Sequence, residues 1–347
     1  MSTNLNKYNK HSYFMSLALQ QAHKSLGNTK ENPAVGCVIV KNNHVISSGF
    51  TSTNGRPHAE YNAINSSIVN LKDSELYVTL EPCSHYGKTP PCVKIIIRKK
   101  IKRVFFSIKD PDPRSYSKST KQFKKRKIKV RSGILSLDIK NFYKSYFKYN
   151  KDILPFVTAK MAVSKDFYTN NKKKKWITNK FSRGRVHLMR SNHDCILTSV
   201  NTIIIDNAIL TCRILGLEDR SPSRIILDKI LKIPVWSNIV RSANKYRTII
   251  FFNKANPKKI KTLRKLKIKL IKVPLSDDGN FDLENILMKI KSLGFSRILL
   301  ESGLNLTTSF LNKNLVDNFY LFISNKNLEK NGNNSFKKNM KLFLKKR

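Results

Sequence analysis

The sequence predicts an α/β protein of two domains: a three-layer α/β/α sandwich followed by a second α/β domain built on its own sheet. Three observations carry this. The chain has 347 residues, a length at which two domains are expected. Up to Tyr149, apolar runs of strand length alternate with stretches of helical periodicity, the pattern of layered α/β folds. The segment Asp152-Ile-Leu-Pro155 then interrupts the alternation, and Phe156 to Val163 reads as the first strand of a new sheet. The predicted domains are 1–151 and 152–347.

The elements of the first domain follow in order. Residues 1–11 are polar and are expected to fray. Phe14, Leu17, Ala18 and Ala22 recur at helical spacing, which predicts a helix from Tyr13 to Leu26 that Gly27 ends. Val35 to Val40 and Val45 to Phe50 read as strands joined by the turn Asn42-Asn43. A helix is predicted from His58 to Val69, with Ala63, Ile64 and Ile68 on one face, then a strand from Glu75 to Leu80. Pro90-Pro91 suits the start of a helix that carries Cys92. A strand from Val104 to Ile108, the turn Asp110-Pro-Asp-Pro113, a helix near Ser117–Lys125, a strand Ile128–Arg131 and a long helix Leu135–Tyr149 complete the domain.

The chemistry concentrates between His58 and Cys92. Pro57-His58-Ala59-Glu60 opens the stretch, and Pro82-Cys83-Ser84-His85-Tyr86-Gly87-Lys88-Thr89-Pro90-Pro91-Cys92 closes it. One imidazole and two thiolates make three zinc ligands, leaving a fourth tetrahedral position for water. Zinc lowers the pKa of such a water from about 15.7 to about 7. Glu60, two residues past His58, is a poor fourth ligand and a good proton carrier, which matches the H-x-E…P-C chemistry of zinc deaminases. Two plainer readings stand beside it: a closed structural site with His85 as fourth ligand, or a cysteine that is only a small buried apolar group. Nucleic-acid deaminases use P-C-x-x-C, whereas here eight residues separate the cysteines.

The segment Glu81–Cys92 closely resembles the deaminase domain of the bifunctional riboflavin-biosynthesis deaminase–reductases. Later fragments resemble the reductase domain of that family: Lys160-Met-Ala-Val-Ser-Lys-Asp166, Trp176-Ile-Thr178, Ile196-Leu-Thr-Ser199, Leu210-Thr-Cys-Arg213, Arg224-Ile-Ile-Leu-Asp228 and Leu300-Glu-Ser-Gly303. The resemblance implies a cytidine-deaminase-like first domain and a second domain similar to dihydrofolate reductase, using zinc and NADPH on a small phosphorylated pyrimidine. In the deaminase, it makes Asn32 a candidate to bond the pyrimidine and Lys88 a candidate to reach the substrate phosphate. An ordinary turn residue and a solvated lysine are the alternatives. In the reductase, it implies that Ala162, Trp176, Thr202, Asp206 and the run Gly303, Leu304, Asn305, Leu306, Thr307, Thr308, Ser309 contact NADPH. It also implies that Lys174, Arg190, Leu210, Arg213 and Glu301 face the phosphorylated sugar. Trp176 in the core, and Asp206 and Glu301 as exposed acids, are the alternatives. Gly303 at a helix start would offer free N–H groups to the cofactor diphosphate.

The sequence also departs from the family pattern. Thr51 stands where a histidine is usual. Phe167 replaces a glycine in S-x-D-G, which predicts strain if the turn needs positive φ. Asn207-Ala208 stands where Asp-Pro is usual, the Thr169–Lys175 segment is short, and no clear strand follows Phe319–Ile323.

Composition bounds the remaining choices. With no G-x-G-x-x-G in the chain, a Rossmann fold has no support. Five cysteines, no long apolar segment and no secretory signal predict a reducing cytoplasm and no membrane partner. Lys and Arg number 67 against 22 Asp and Glu, a net charge of +45. The basic residues are scattered through both halves alongside abundant Asn and Ile, the mark of an AT-rich genome. No specific nucleic acid is therefore expected, though a polyanion partner is the alternative reading. A homo-oligomer is expected. Two further functions compete with the bifunctional enzyme: a deaminase with a scaffold second domain, and a nucleic-acid deaminase.

Overall fold

The computed structural model describes residues 2–173 and 176–337. The chain divides into two compact units, Met1–Asp152 and Ile153–Arg347.

The first unit runs α1 (Ser2–His23), β1 (Gly36–Lys41), β2 (His44–Phe50), α2 (Ala59–Asn65), β3 (Glu75–Leu80), α3 (Cys92–Arg98), β4 (Arg103–Ile108), α4 (Lys118–Lys125), β5 (Lys129–Ser132), α5 (Ser136–Phe142) and α6 (Lys144–Lys151). Its sheet has the order β2-β1-β3-β4-β5, antiparallel on both sides of β1 and parallel from β3 onward. Gly36 and Gly49 show how the helices close on it. A Cβ on Gly36 would stand 1.9 Å from the Ala18 carbonyl oxygen of α1, and one on Gly49 would stand 2.4 Å from the Ala63 nitrogen of α2. Gly49 pairs with Cys37, the neighbour of Gly36, and successive strand residues point to opposite faces. Helices α1 and α2 therefore cover opposite faces, and the three-layer α/β/α fold is as expected.

Three local expectations change. Helix α1 begins at Ser2 rather than near Tyr13. Helix α2 stops at Asn65, so Ile68 lies beyond it, 99% exposed instead of packed. The long final helix is two helices, α5 and α6, broken at Tyr143. Tyr143 is buried; its hydroxyl donates to the Ala34 carbonyl oxygen at 3.0 Å and meets Thr79 Oγ1 at 2.7 Å. Holding that hydroxyl over β3 takes precedence over helix continuity.

The second unit runs β6 (Phe156–Val163), β7 (Tyr168–Asn171), α7 (Lys180–Ser191), β8 (Cys195–Ser199), α8 (Val200–Asp206), β9 (Ser223–Leu227), α9 (Asn238–Arg241), β10 (Thr248–Phe252), α10 (Pro257–Lys265), β11 (Lys269–Lys272), α11 (Leu283–Ser292), β12 (Arg297–Glu301), α12 (Leu304–Asn312), β13 (Asn318–Ile323) and β14 (Gly332–Ser335). Seven strands form a parallel sheet of order β11-β10-β9-β8-β12-β6-β13. Apolar side chains alternate between its faces: Ile225 and Leu227 join one core cluster and Ile226 the other.

The departures at the sequence level are accommodated here. A strand does follow β13, because β14 pairs antiparallel with β7 and delivers the buried Phe336 against Met161 and Val163. Phe167 adopts the left-handed φ of +65° that its turn requires. Asn207, at φ +44°, ends α8 in the left-handed cap geometry that Asn tolerates. Its side-chain oxygen accepts from the Asn238 N–H at 2.8 Å. Lys174 lies outside the described residues.

Candidate active sites

In the first unit, His58 caps the N-terminus of α2, Cys83 lies just past the end of β3, and Cys92 opens α3. Parallel sheet order places the β3 end beside both helix starts, so residues 25 positions or more apart converge. The ligand atoms of His58, Cys83 and Cys92 lie within 4.8 Å of one another. Nδ1 of His58 is 3.5 Å from Cys83 Sγ and 3.4 Å from Cys92 Sγ. A tetrahedral zinc with ordinary bond lengths separates nitrogen from sulfur ligands by about 3.6 Å, so these three residues fit the ion. His85, the alternative fourth ligand, meets Ser115 Oγ at 2.9 Å through its Nδ1 and stands outside the group.

Without a metal charge the three groups share protons unequally. Hydrogen bonding from Cys92 and then from His58 pulls the Cys83 thiol well down, whereas the same bond with Cys83, aided by burial, pushes Cys92 up. Burial lowers His58, but its bond to Cys83 and the nearby Glu60 charge more than offset that and leave it raised. A bound cation would hold both sulfurs as thiolates. Glu60 is 3% exposed, and burial followed by the Cys83 charge raises its carboxyl to about 7.

A cavity of about 280 Å³ opens on His58, Glu60 and Cys83, and Asn32, Arg56, Asp110 and Tyr146 line it as well. Gly55 makes room for Asn32: a Cβ there would stand 2.3 Å from Asn32 Nδ2, and its φ is +86°. Asp110 accepts from the Asp112 N–H at 3.0 Å and the Tyr146 hydroxyl at 3.2 Å, while burial raises its carboxyl to about 6. Lys88 is exposed on the loop between the cysteines and is not among the lining residues. Thr51 is buried and fully occupied, accepting from the Val35 N–H at 2.9 Å and donating to the Pro33 carbonyl at 3.1 Å. Arg56, Asp110 and Tyr146 escaped sequence reasoning as site residues. Only the Asp110-Pro-Asp-Pro113 turn carried a signal, that of a chain break whose D-P-x-P pattern also matches the family.

In the second unit, a cavity of about 540 Å³ lies where β8, β9 and α12 meet. Of the residues expected to contact NADPH, Asn305, Leu306 and Ser309 line it. Gly303 is the N-cap of α12, Thr307 is buried beneath the helix, and Leu304 packs toward Phe336. Thr202 lies on α8 with its hydroxyl 3.4 Å from Ser199 Oγ. Asp206 ends α8, Ala162 is partly buried on β6, and Trp176 is 57% exposed beneath Arg183 rather than in the core. Ser199 and Asp228, which end two of the motif fragments, also line the cavity, as do Lys229, Lys232 and Lys313, which were not singled out from the sequence. The first turn of α12 and three lysines beside this cavity suit a dinucleotide phosphate chain.

The sugar candidates gather at the C-terminal ends of β6 and β12. Glu301 sits in register with Lys160 and accepts both prongs of Arg190, each at 2.9 Å, with Lys160 Nζ at 3.3 Å. Glu301 is thus a triply bonded, largely covered acid, its side chain 12% exposed, and not an exposed one. Burial opposes its charge, but Arg190 and then Lys160 hold its pKa well below the usual range. Arg190 also donates to the Thr211 carbonyl, the residue after buried Leu210. Arg213 lies near enough for Arg190 to add to the burial that lowers its pKa.

Fold and site together define a zinc-dependent deaminase unit joined to a reductase-type α/β unit. The family described as the cytidine and deoxycytidylate deaminase zinc-binding region matches residues 8–108, and the RibD C-terminal domain matches residues 155–339. The chain is 36% identical over 315 residues to riboflavin biosynthesis protein RibD of Aquifex aeolicus, covering 90% of this chain and 86% of that protein. The solved deaminase/reductase of Thermotoga maritima superposes with a TM-score of 0.81 at 31% identity, covering 95% and 90% of the two chains. RibD of Acinetobacter baumannii gives 0.80 at 28% identity, covering 94% and 89%. The chain belongs to the RibD family of riboflavin biosynthesis proteins.

Proposed function

We propose that the chain catalyses two consecutive steps of riboflavin biosynthesis, the process named for the Aquifex aeolicus relative, by the deaminase and reductase activities named for the Thermotoga maritima one. The first unit deaminates 2,5-diamino-6-(5-phosphoribosylamino)pyrimidin-4-one, and the second reduces the ribosyl side chain of the product to ribityl. The observation that carries this is the convergence of His58, Cys83 and Cys92 beside a buried Glu60.

His58, Cys83 and Cys92 would hold zinc, which when bound supplies the Lewis acidity that makes water nucleophilic near neutral pH. The chain's own contribution to proton movement is Glu60. Its carboxyl, buried beside the three ligands, can accept a proton from water and return it to the leaving amine, the part a positioned general acid–base plays. Asn32 and Asp110 line the same cavity with polar groups for the pyrimidine edge.

In the second unit, NADPH would lie along Asn305, Leu306 and Ser309 with the lysines of that cavity on its phosphates, and when bound it supplies the hydride. Arg190, Arg213 and Glu301, with Lys160, are assigned to the phosphorylated sugar; the remaining contacts expected from family resemblance are kept as part of this reading. Free cysteines throughout the described chain support a reducing cytoplasm. Exposed Tyr61, Ile68 and Val69 on the first unit support a homo-oligomer, measurable by light scattering.

The test is to incubate purified protein with the pyrimidine substrate, with and without NADPH, and weigh the products. Loss of one amine without NADPH, and loss of one amine plus gain of two hydrogens with it, is expected. A product that is deaminated but never reduced would leave the second unit as a scaffold.

A further inference from the structure

The deaminase cavity holds two arginines in very different states. Arg114 is committed: its Nε and Nη2 both bond the Asp112 carboxylate. Arg56 is not. Its Nη1 donates to Thr89 Oγ1 at 2.5 Å and stands 3.2 Å from Nε2 of His58. Among the described residues, no acid pairs with Arg56, and its Nε and Nη2 make no hydrogen bond.

The contact with His58 sharpens this. Nδ1 of His58 faces both sulfurs and is the nitrogen that would face a metal, so with zinc bound the ring proton would sit on Nε2. A metal-bound histidine ordinarily donates that proton to a carboxylate, carbonyl or water. Here it meets Nη1 of a guanidinium, another donor, and an anionic oxygen is the acceptor both groups lack. The surrounding loop suits such a ligand. Gly87 carries no side chain beside the fork; a Cβ there would stand in ordinary contact with Arg56 Nη2, at 3.4 Å.

Other basic or polar groups near this place are committed or turned to solvent: Arg114 pairs with Asp112 and His85 bonds Ser115. Thr51 bonds the Pro33–Val35 backbone through its hydroxyl, and Lys88, exposed between Gly87 and Thr89, is not among the lining residues. We propose that Arg56 is the phosphate-recognition residue of the deaminase cavity, binding the phosphate of the phosphoribosyl substrate through its open guanidinium edge. A planar guanidinium matches a phosphate with two parallel donors. This rests on the reading of the first unit as a phosphoribosyl-pyrimidine deaminase.

The experiment compares wild type, Arg56→Gln and Arg56→Lys on the phosphorylated substrate and on its dephosphorylated riboside, with zinc content measured for each. A charge-assisted contact of this kind is expected to raise KM for the phosphorylated substrate by about 10- to 100-fold in Arg56→Gln. Zinc content and KM for the riboside should stay unchanged, and Arg56→Lys should recover part of the loss. A second measurement titrates ribose 5-phosphate into each protein by calorimetry, with binding expected to weaken by a similar factor in Arg56→Gln. If KM rises equally for both substrates, Arg56 only positions the Thr89 loop and the proposal is overturned. Unchanged KM for the phosphorylated substrate overturns it as well. If the wild type deaminates neither compound, the deaminase reading fails, and the ribose 5-phosphate titration still decides whether Arg56 holds phosphate.

Discussion

The buried groups of the deaminase cavity have their protons set by their neighbours. Glu60 and Asp110 both lose water and both rise, to about 7 and about 6, whereas Cys83 falls because Cys92 and His58 bond it. The site therefore offers an anionic sulfur and a protonatable carboxyl in the same small space, which is what a metal and a proton carrier need. Replacing either thiol removes a soft ligand, so Cys83→Ser and Cys92→Ser are each expected to lose most bound zinc; full retention in both would remove the assignment. At this scale the sequence spoke most clearly where residue type and spacing met, as at His58, Cys83 and Cys92. It was silent on Arg56 and Asp110, since a lone arginine before a proline or an aspartate in a turn has no meaning until β3, β4 and the α2 start close around it. Glu301 was legible from its motif, but its partners were not: only the register of β6 on β12 brings Lys160 beside it.

Elements were legible where periodicity was strong. The span Glu75–Leu80 was read without error as β3, because a fully buried strand between polar turns has no competing pattern. The break at Tyr143 was not legible, since an apolar helix pattern gives no hint that one hydroxyl must reach the far carbonyl of Ala34. Phe167 shows a similar balance. Its left-handed φ costs roughly 1–2 kcal/mol, but its ring packs with Met161, Val163 and Phe336, and partial burial of a phenyl ring returns about the same amount. Phe167→Gly is therefore expected to change unfolding free energy by less than about 1 kcal/mol, instead of the gain that strain alone implies; denaturant titration checks this.

A sharper prediction concerns His193, just before β8. It is buried, its Nε2 has no hydrogen-bond partner, and burial followed by the Arg297 charge lowers its pKa from 6.5 to about 3. The folded unit binds this proton less well than the unfolded chain. The stability is thus fully present above the unfolded value of 6.5 and drains away as pH falls toward about 3. The slope is up to about 1.4 kcal/mol per pH unit, or about 2 kcal/mol by pH 5. Both tryptophans, Trp176 and Trp236, lie in the second unit, so their fluorescence reports its unfolding. The His193→Asn protein should show a shallower loss between pH 6.5 and 5; an identical slope would mean the histidine is not held neutral.

For the whole molecule, the net charge of +45 is the property most easily misread. A field this positive attracts phosphorylated ligands and RNA alike at low salt. If it follows from composition, RNA binding should be sequence-blind and lost near 0.15 M salt, at ionic strengths where counterion release no longer drives it; tight binding to one RNA there would revive the nucleic-acid alternative. The two-part α/β organisation was legible from the change of pattern at Asp152–Pro155. The strand after β13 was not, because Gly332–Ser335 is polar and gains its place only by pairing with β7. The central claim is that one chain carries two separable chemistries, and Glu60→Gln tests it most directly. The variant should keep about one zinc per chain and lose ammonia release from the pyrimidine by about two to four orders of magnitude. Its NADPH consumption on the already deaminated substrate should match the wild type. Loss of zinc, or a parallel collapse of both activities, would contradict the account.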